Sequence, residues 1–172
     1  MTALSKMKVG KAVGPDNIPV EVWKTLGARA VNSLLELFTR MAKGDKMPHA
    51  WREGWIVPIF KGKGDVQECG NYRGIKLMSH TLKLWERVID ARLREQTNIR
   101  DNQFGFMPGR STMEPSFAVR QVVEKFRDAG KKLHMVFVDL EKAYDRVPRA
   151  LLWEVLERKG VGEGYIGKIR HV

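Results

Sequence analysis

His134 to Asp145, HMVFVDLEKAYD, is an apolar, β-branched run that ends abruptly in a carboxylate. The pattern predicts a strand that climbs out of a core and delivers Asp139 at its tip, which is how a chain holds a metal ligand rigidly. Hard divalent cations take oxygen ligands, so the chemistry open to Asp139 is metal-assisted. The plainer role is capping the turn that leaves the strand. Ala143 beyond it is small, Tyr144 is a large ring that serves equally well in core packing, and Asp145 is a second acid. Asp145 reads as structural, pairing with Arg146 or Arg149 or bonding the turn before Pro148.

A second constellation suits a polyanion. A triphosphate has to be held while its α-phosphorus is attacked, and the planar fork of an arginine with the point charge of a lysine does this. Lys61 and Arg73 fit, although basic residues in a Gly-rich loop are common and weak evidence by themselves. WIVPIF and YRGIKLM read as the strands of a hairpin, with Pro58 restricting the first to an edge or a bulge. Gly62-Lys63-Gly64-Asp65 between them reads as a flexible basic loop.

The elements that must position these residues are mostly helical. Gly14-Pro15-Asp16-Asn17 is a turn signal, after which Ile18 to Leu26 predicts a short helix closed by Gly27. From Ala28 to Lys43, Val31, Leu34, Leu35, Phe38 and Met41 recur at helical spacing, and Gly44 supplies the C-terminal cap. Thr81 to Gln96 carries Leu82, Trp85, Val88, Ile89 and Leu93 on one face, with Lys83, Arg87, Arg92 and Arg94 elsewhere. Ser111 and Glu114 match a capping box for a helix running to about Asp128, with Val119, Val122, Val123 and Phe126 inward. Pro115 falls awkwardly in its first turn. A last helix starts at Pro148 and is apolar at Leu151, Leu152, Val155 and Leu156. The expected class is α+β, with helices packed on a small antiparallel sheet.

The chain of 172 residues is 43% hydrophobic, enough for one globular domain or part of one. Its 31 Lys+Arg against 20 Asp+Glu leave +11 and a pI near 10.0. Such an excess points to a polyanionic partner, nucleic acid first, over scattered charges that merely solvate helix faces. Cys69 is the only cysteine, which excludes an internal disulfide and argues for an intracellular protein. Nothing resembles a signal peptide or a membrane span, so a soluble protein is expected. LSKMKVGKA reads as the tail of a helix, and with the end IRHV it suggests a piece of a longer polypeptide.

Several segments, in order, resemble the reverse transcriptase domain of non-LTR (LINE-type) retrotransposons. KAVGPDNIPVEVWK is similar to its N-terminal extension. IVPIFKGKGD with CGNYRGIKLMSHTLKLWERVIDARL resembles the fingers, QFGFMPGRST the segment lying against the template, and HMVFVDLEKAYD the first catalytic motif. The resemblance implies part of a right-hand polymerase, residues 1–172, with about 1–130 as N-terminal extension and fingers and 131–172 as the start of the palm. It implies RNA-directed DNA synthesis by two-metal nucleotidyl transfer, using Mg²⁺ or Mn²⁺, an RNA template, a DNA primer and dNTPs, in the nucleus or cytoplasm. Asp139 and the carbonyl of Leu140 would then be metal ligands. Lys61 and Arg73 would touch the β- and γ-phosphates, with Lys63 as a substitute for Lys61. Tyr144 would lie under the sugar, and Arg110 would contact the template.

The family's second carboxylate pair is absent after Asp145. Glu154, Glu157 and Glu163 fall on or beyond a helix and cannot replace it. The chain alone is therefore expected to be inactive, and the other readings are a non-catalytic nucleic-acid-binding module or an inert retroelement remnant.

Overall fold

In the computed structural model, which describes residues 2–140 and 143–170, the chain divides into two units. One comprises the described residues up to Gln96 together with those from Val161 on, and the other spans Thr97–Gly160.

The first unit begins with α1 (Thr2–Ser5) and an irregular segment, followed by α2 (Val20–Thr25) and α3 (Ala28–Lys43). Gly27 at φ 57° and ψ −128° separates α2 from α3 by a bend that a side chain would obstruct. Gly44 ends α3 at φ 112°, its N–H donating to the carbonyls of Arg40 and Met41. A 3-10 turn at His49–Arg52 leads to the antiparallel hairpin of β1 (Trp55–Phe60) and β2 (Tyr72–Leu77). Ser79 then caps α4 (His80–Gln96), its Oγ accepting the Leu82 N–H at 3.2 Å. The unit closes with α8 (Glu163–Arg170), a helix that sequence periodicity does not announce.

Two apolar clusters hold these helices together. Met41, Trp51, Leu82, Trp85 and Ile89 form one, and Met7, Val20, Leu34 and Leu84 the other. Phe38 packs against both. Its ring meets Trp51 edge-on at 6.3 Å and Trp85 tilted at 5.2 Å. The helical spacing in α3 thus does its expected work through Leu34 and Met41, whereas Leu35 stays exposed. Helix α4 is buried on more sides than its predicted stripe, because Leu84 serves the second cluster. The helices do not cover the sheet: Ile56, Val57, Ile59 and Ile75 remain exposed, so the hairpin stands clear of the core. In so small a sheet both strands are edges, which is where Pro58 is tolerated; it pairs with Gly74.

The second unit contains α5 (Met113–Asp128), α6 (Ala143–Arg146) and α7 (Arg149–Arg158). Pro148 precedes α7 as expected. Starting α5 at Met113 puts Pro115 among the first N–H positions, which have no intrahelical partner, so the proline costs no hydrogen bond.

Two expectations fail in this unit. Residues 131–140 form no strand, because a strand exists only through ladder bonds to a neighbour and, among the described residues, β1 and β2 form the only ladder. Val136, Phe137 and Val138 are 88%, 81% and 79% exposed, so the run lacks a core as well as a partner. The inward face expected for α5 also stays open: Val119, Val122, Val123 and Phe126 are all exposed. Leu156 is the one buried side chain among this unit's described residues.

Candidate functional site

The hairpin places the first pair of cations. Register sets Phe60 against Tyr72, their rings 5.5 Å apart, and Ile59 against Arg73. Strand alternation therefore puts Arg73 on the face opposite the aromatic pair, and Lys61, next but one after Ile59, on that same face.

The loop joining the strands is braced, contrary to the flexibility its glycines suggest. The Lys61 N–H donates to the Asn71 carbonyl at 2.8 Å and its Nζ to the Gly70 carbonyl at 2.6 Å. Asn71 Nδ2 donates to the Asp65 carbonyl, Tyr72 Oη to the Val66 carbonyl, and the Gln67 N–H to Asp65 Oδ1. Gly64, at φ 82°, sits so close to the Asn71 amide that a Cβ would collide with it. Arg73 and Lys63 are exposed and make no salt bridge among the described residues, which leaves both charges available to an anion. The Lys61 ammonium spends one of its three N–H donors on the Gly70 carbonyl and keeps the others for an anion.

In the second unit Arg110 is tied locally. Its Nη1 donates to Glu114 Oε2 at 2.9 Å and its guanidinium lies 5.4 Å from the centre of the Phe104 ring. Glu114 Oε1 accepts the Ser111 N–H at 2.9 Å, and Ser111 Oγ accepts the Met113 N–H at 3.1 Å. This is half of the expected capping box, since the serine caps one residue early. The Arg110 hydrogen bond, then the Ser111 amide, hold the Glu114 carboxyl below its ordinary range.

Asp139 and Leu140 are exposed and follow the unpaired run. A carboxylate and a main-chain carbonyl are both oxygen donors and suit a hard divalent cation, but they fill only part of its shell. Among the described residues no group of three or more His, Cys, Asp or Glu gathers to complete one. The Tyr144 ring lies outside the described residues, as does the Asp145 carboxylate. Lys61 and Arg73 thus share one unit, and Arg110, Asp139 and Leu140 belong to the other.

A further group of cations comes together through the fold. Lys6, Lys8 and Lys11, after α1, line a cleft with Lys83 and Arg87 of α4, and these stretches lie far apart in the chain. Among the described residues no helix is long and apolar enough to cross a membrane.

The family model for reverse transcriptase (RNA-dependent DNA polymerase) matches residues 60–170. A probable RNA-directed DNA polymerase from transposon BS of Drosophila melanogaster is 31% identical over 84% of this chain. An uncharacterized 149 kDa protein of transposon TX1 from Xenopus laevis is 28% identical over 98%. A probable RNA-directed DNA polymerase from transposon X-element, also of Drosophila melanogaster, is 29% identical over 80%. The chain spans 16%, 13% and 16% of the lengths of these three proteins.

Proposed function

Because this chain belongs to the reverse transcriptase family, in its non-LTR retrotransposon branch, we propose that it supplies the fingers and the first palm motif of a right-hand RNA-directed DNA polymerase. Residues up to about 130 are the N-terminal extension and fingers, and those from 131 begin the palm. The observation that carries this reading is the reach of the family match, since residues 60–170 include the hairpin loop and β2, with Lys61 and Arg73, as well as Asp139 and Tyr144.

In the complete polymerase, Lys61 and Arg73 hold the β- and γ-phosphates of a dNTP from one face of the hairpin, with Lys63 close by on the loop. Arg73 contributes the bidentate fork, and Lys61, with one N–H on the Gly70 carbonyl, offers its remaining N–H donors to a phosphate oxygen. Arg110 exchanges Glu114 for the template backbone. Tyr144 closes the space where a ribose 2′-hydroxyl would sit and so favours deoxynucleotides. Asp139 and the Leu140 carbonyl hold Mg²⁺ or Mn²⁺; when bound, such ions offset the charge on the phosphoryl group being transferred. The work takes place in the nucleus or cytoplasm, on an RNA template and a DNA primer.

The test uses a polypeptide that carries this segment within a whole polymerase domain, assayed for primer extension on RNA. Asp139→Asn keeps size and polarity but removes the charge that holds a cation. Synthesis should be abolished while template affinity stays nearly unchanged. Full synthesis by that variant rejects the assignment.

A further inference from the structure

The segment between α1 and α2 has no regular structure, yet it is pinned at several points. Lys24 Nζ donates to the Met7 carbonyl at 2.6 Å and to the Ser5 carbonyl at 3.3 Å, and the Gly10 N–H donates to Glu21 Oε1 at 2.6 Å. The Met7 side chain is buried in the core. Held this way, the segment lifts Lys8 and Lys11 into one wall of a cleft whose other wall is the first half of α4, with Lys83 and Arg87. Lys8, Lys11 and Arg87 form no salt bridge among the described residues.

His80 lines the same cleft at the first position of α4. It is only 3% exposed, and among the described residues neither Nδ1 nor Nε2 has a partner in hydrogen-bonding geometry. Unpaired polar atoms are disfavoured at such burial, and a neutral imidazole keeps one N–H to donate. Burial, with Lys83 adding to it, holds this imidazole below the ordinary histidine range; Asp16, Glu21 and the Lys11 main chain oppose the shift. Two carboxylates also face the cleft. Asp90 is engaged by Arg94 at 2.9 Å, and burial pushes the Glu86 carboxyl up, against Lys76 and Lys83; Lys6, Lys8, Lys11, Lys83 and Arg87 outnumber the two acids along the cleft.

We propose that this cleft holds a phosphodiester of a nucleic-acid strand, with Lys8, Lys11, Lys83 and Arg87 supplying charge and His80 an N–H donor. The proposal rests on the polymerase reading and adds to it a strand contact separate from Arg110 and from the hairpin.

The test titrates the 172-residue chain into a labelled single-stranded RNA over a range of salt, following anisotropy. Lys8→Gln with Lys11→Gln should weaken binding about tenfold at low salt and flatten the salt slope by about 1.4, since each phosphate left unneutralised on a single strand lowers it by about 0.7. Lys131→Gln with Lys132→Gln removes the same charge from the other unit and should change affinity by less than about twofold, as the phosphate term is local. The imidazole resonances of His80 should move saturably as RNA is added. Equal losses in the two double variants, or RNA binding that leaves His80 unmoved, overturn the cleft while keeping nucleic-acid binding. Polyglutamate bound as well as RNA also overturns it. Failure of any strand to bind at low salt removes the broader reading too.

Discussion

Arg110 and Glu114 are joined at 2.9 Å across one turn, and the same carboxylate holds the Ser111 amide. One acid therefore orders the entry to α5 and occupies the arginine proposed to meet the template. In the proposed reading, a template would compete with this ion pair for Arg110.

Glu114→Gln should release Arg110 and raise affinity for single-stranded RNA about threefold, the scale of one more phosphate neutralised. Anisotropy measures this. An unchanged or weaker affinity would show that Arg110 does not reach the strand.

Acid should undo the same arrangement. The folded Glu114 carboxyl lies below its ordinary 4.5, so its contribution is complete above that value and is lost as pH falls through the folded one. Urea midpoints of wild type and Glu114→Gln, compared at neutral and strongly acidic pH, should differ in the first case and converge in the second. The pair is exposed, so the difference is small and shrinks with salt.

His80 sets a different window. Its folded imidazole lies below the ordinary 6.5, so the unfolded chain binds the extra proton first. Stability should decline as pH drops below 6.5 and level off once the folded imidazole is itself protonated. His80→Gln, which cannot titrate, should lack that decline in pH-dependent urea unfolding.

Gly14 is packed against the main chain at Met78 and Ser79 so closely that a Cβ would overlap it. Gly14→Ala should therefore cost about 1–3 kcal/mol, since backbone cannot swing aside as a flexible side chain does. Thermal and urea unfolding measure the loss.

Tyr144→Ala, made within a whole polymerase domain, should raise the use of ribonucleotides relative to deoxynucleotides. If the ring serves only packing, the variant should instead lose about 3–5 kcal/mol of stability with unchanged sugar selectivity. Measuring incorporation and melting on the same sample separates the two roles.

Sequence alone determined whatever is decided within a few residues. The bounds of α3, the stop at Gly44, the start after Pro148 and the pairing of WIVPIF with YRGIKL all follow from periodicity, glycine conformation and turn chemistry, and all appear in the structure. The ordered motifs also led to the family that the match over 60–170 establishes. Tertiary structure decided what depends on a distant partner. Among the described residues, the run before Asp139 has strand composition but no neighbour to bond, and the apolar stripe of α5 stays exposed. In the other direction, the loop after Lys61 is stiffened by bonds that its glycines do not foretell. His80 is buried, and Lys8 and Lys11 stand opposite Lys83 and Arg87, only because the core brings the start of the chain against α4. Local preference acts along the chain; ladders, burial and charge clusters need a second segment, and where that segment lies is a property of packing.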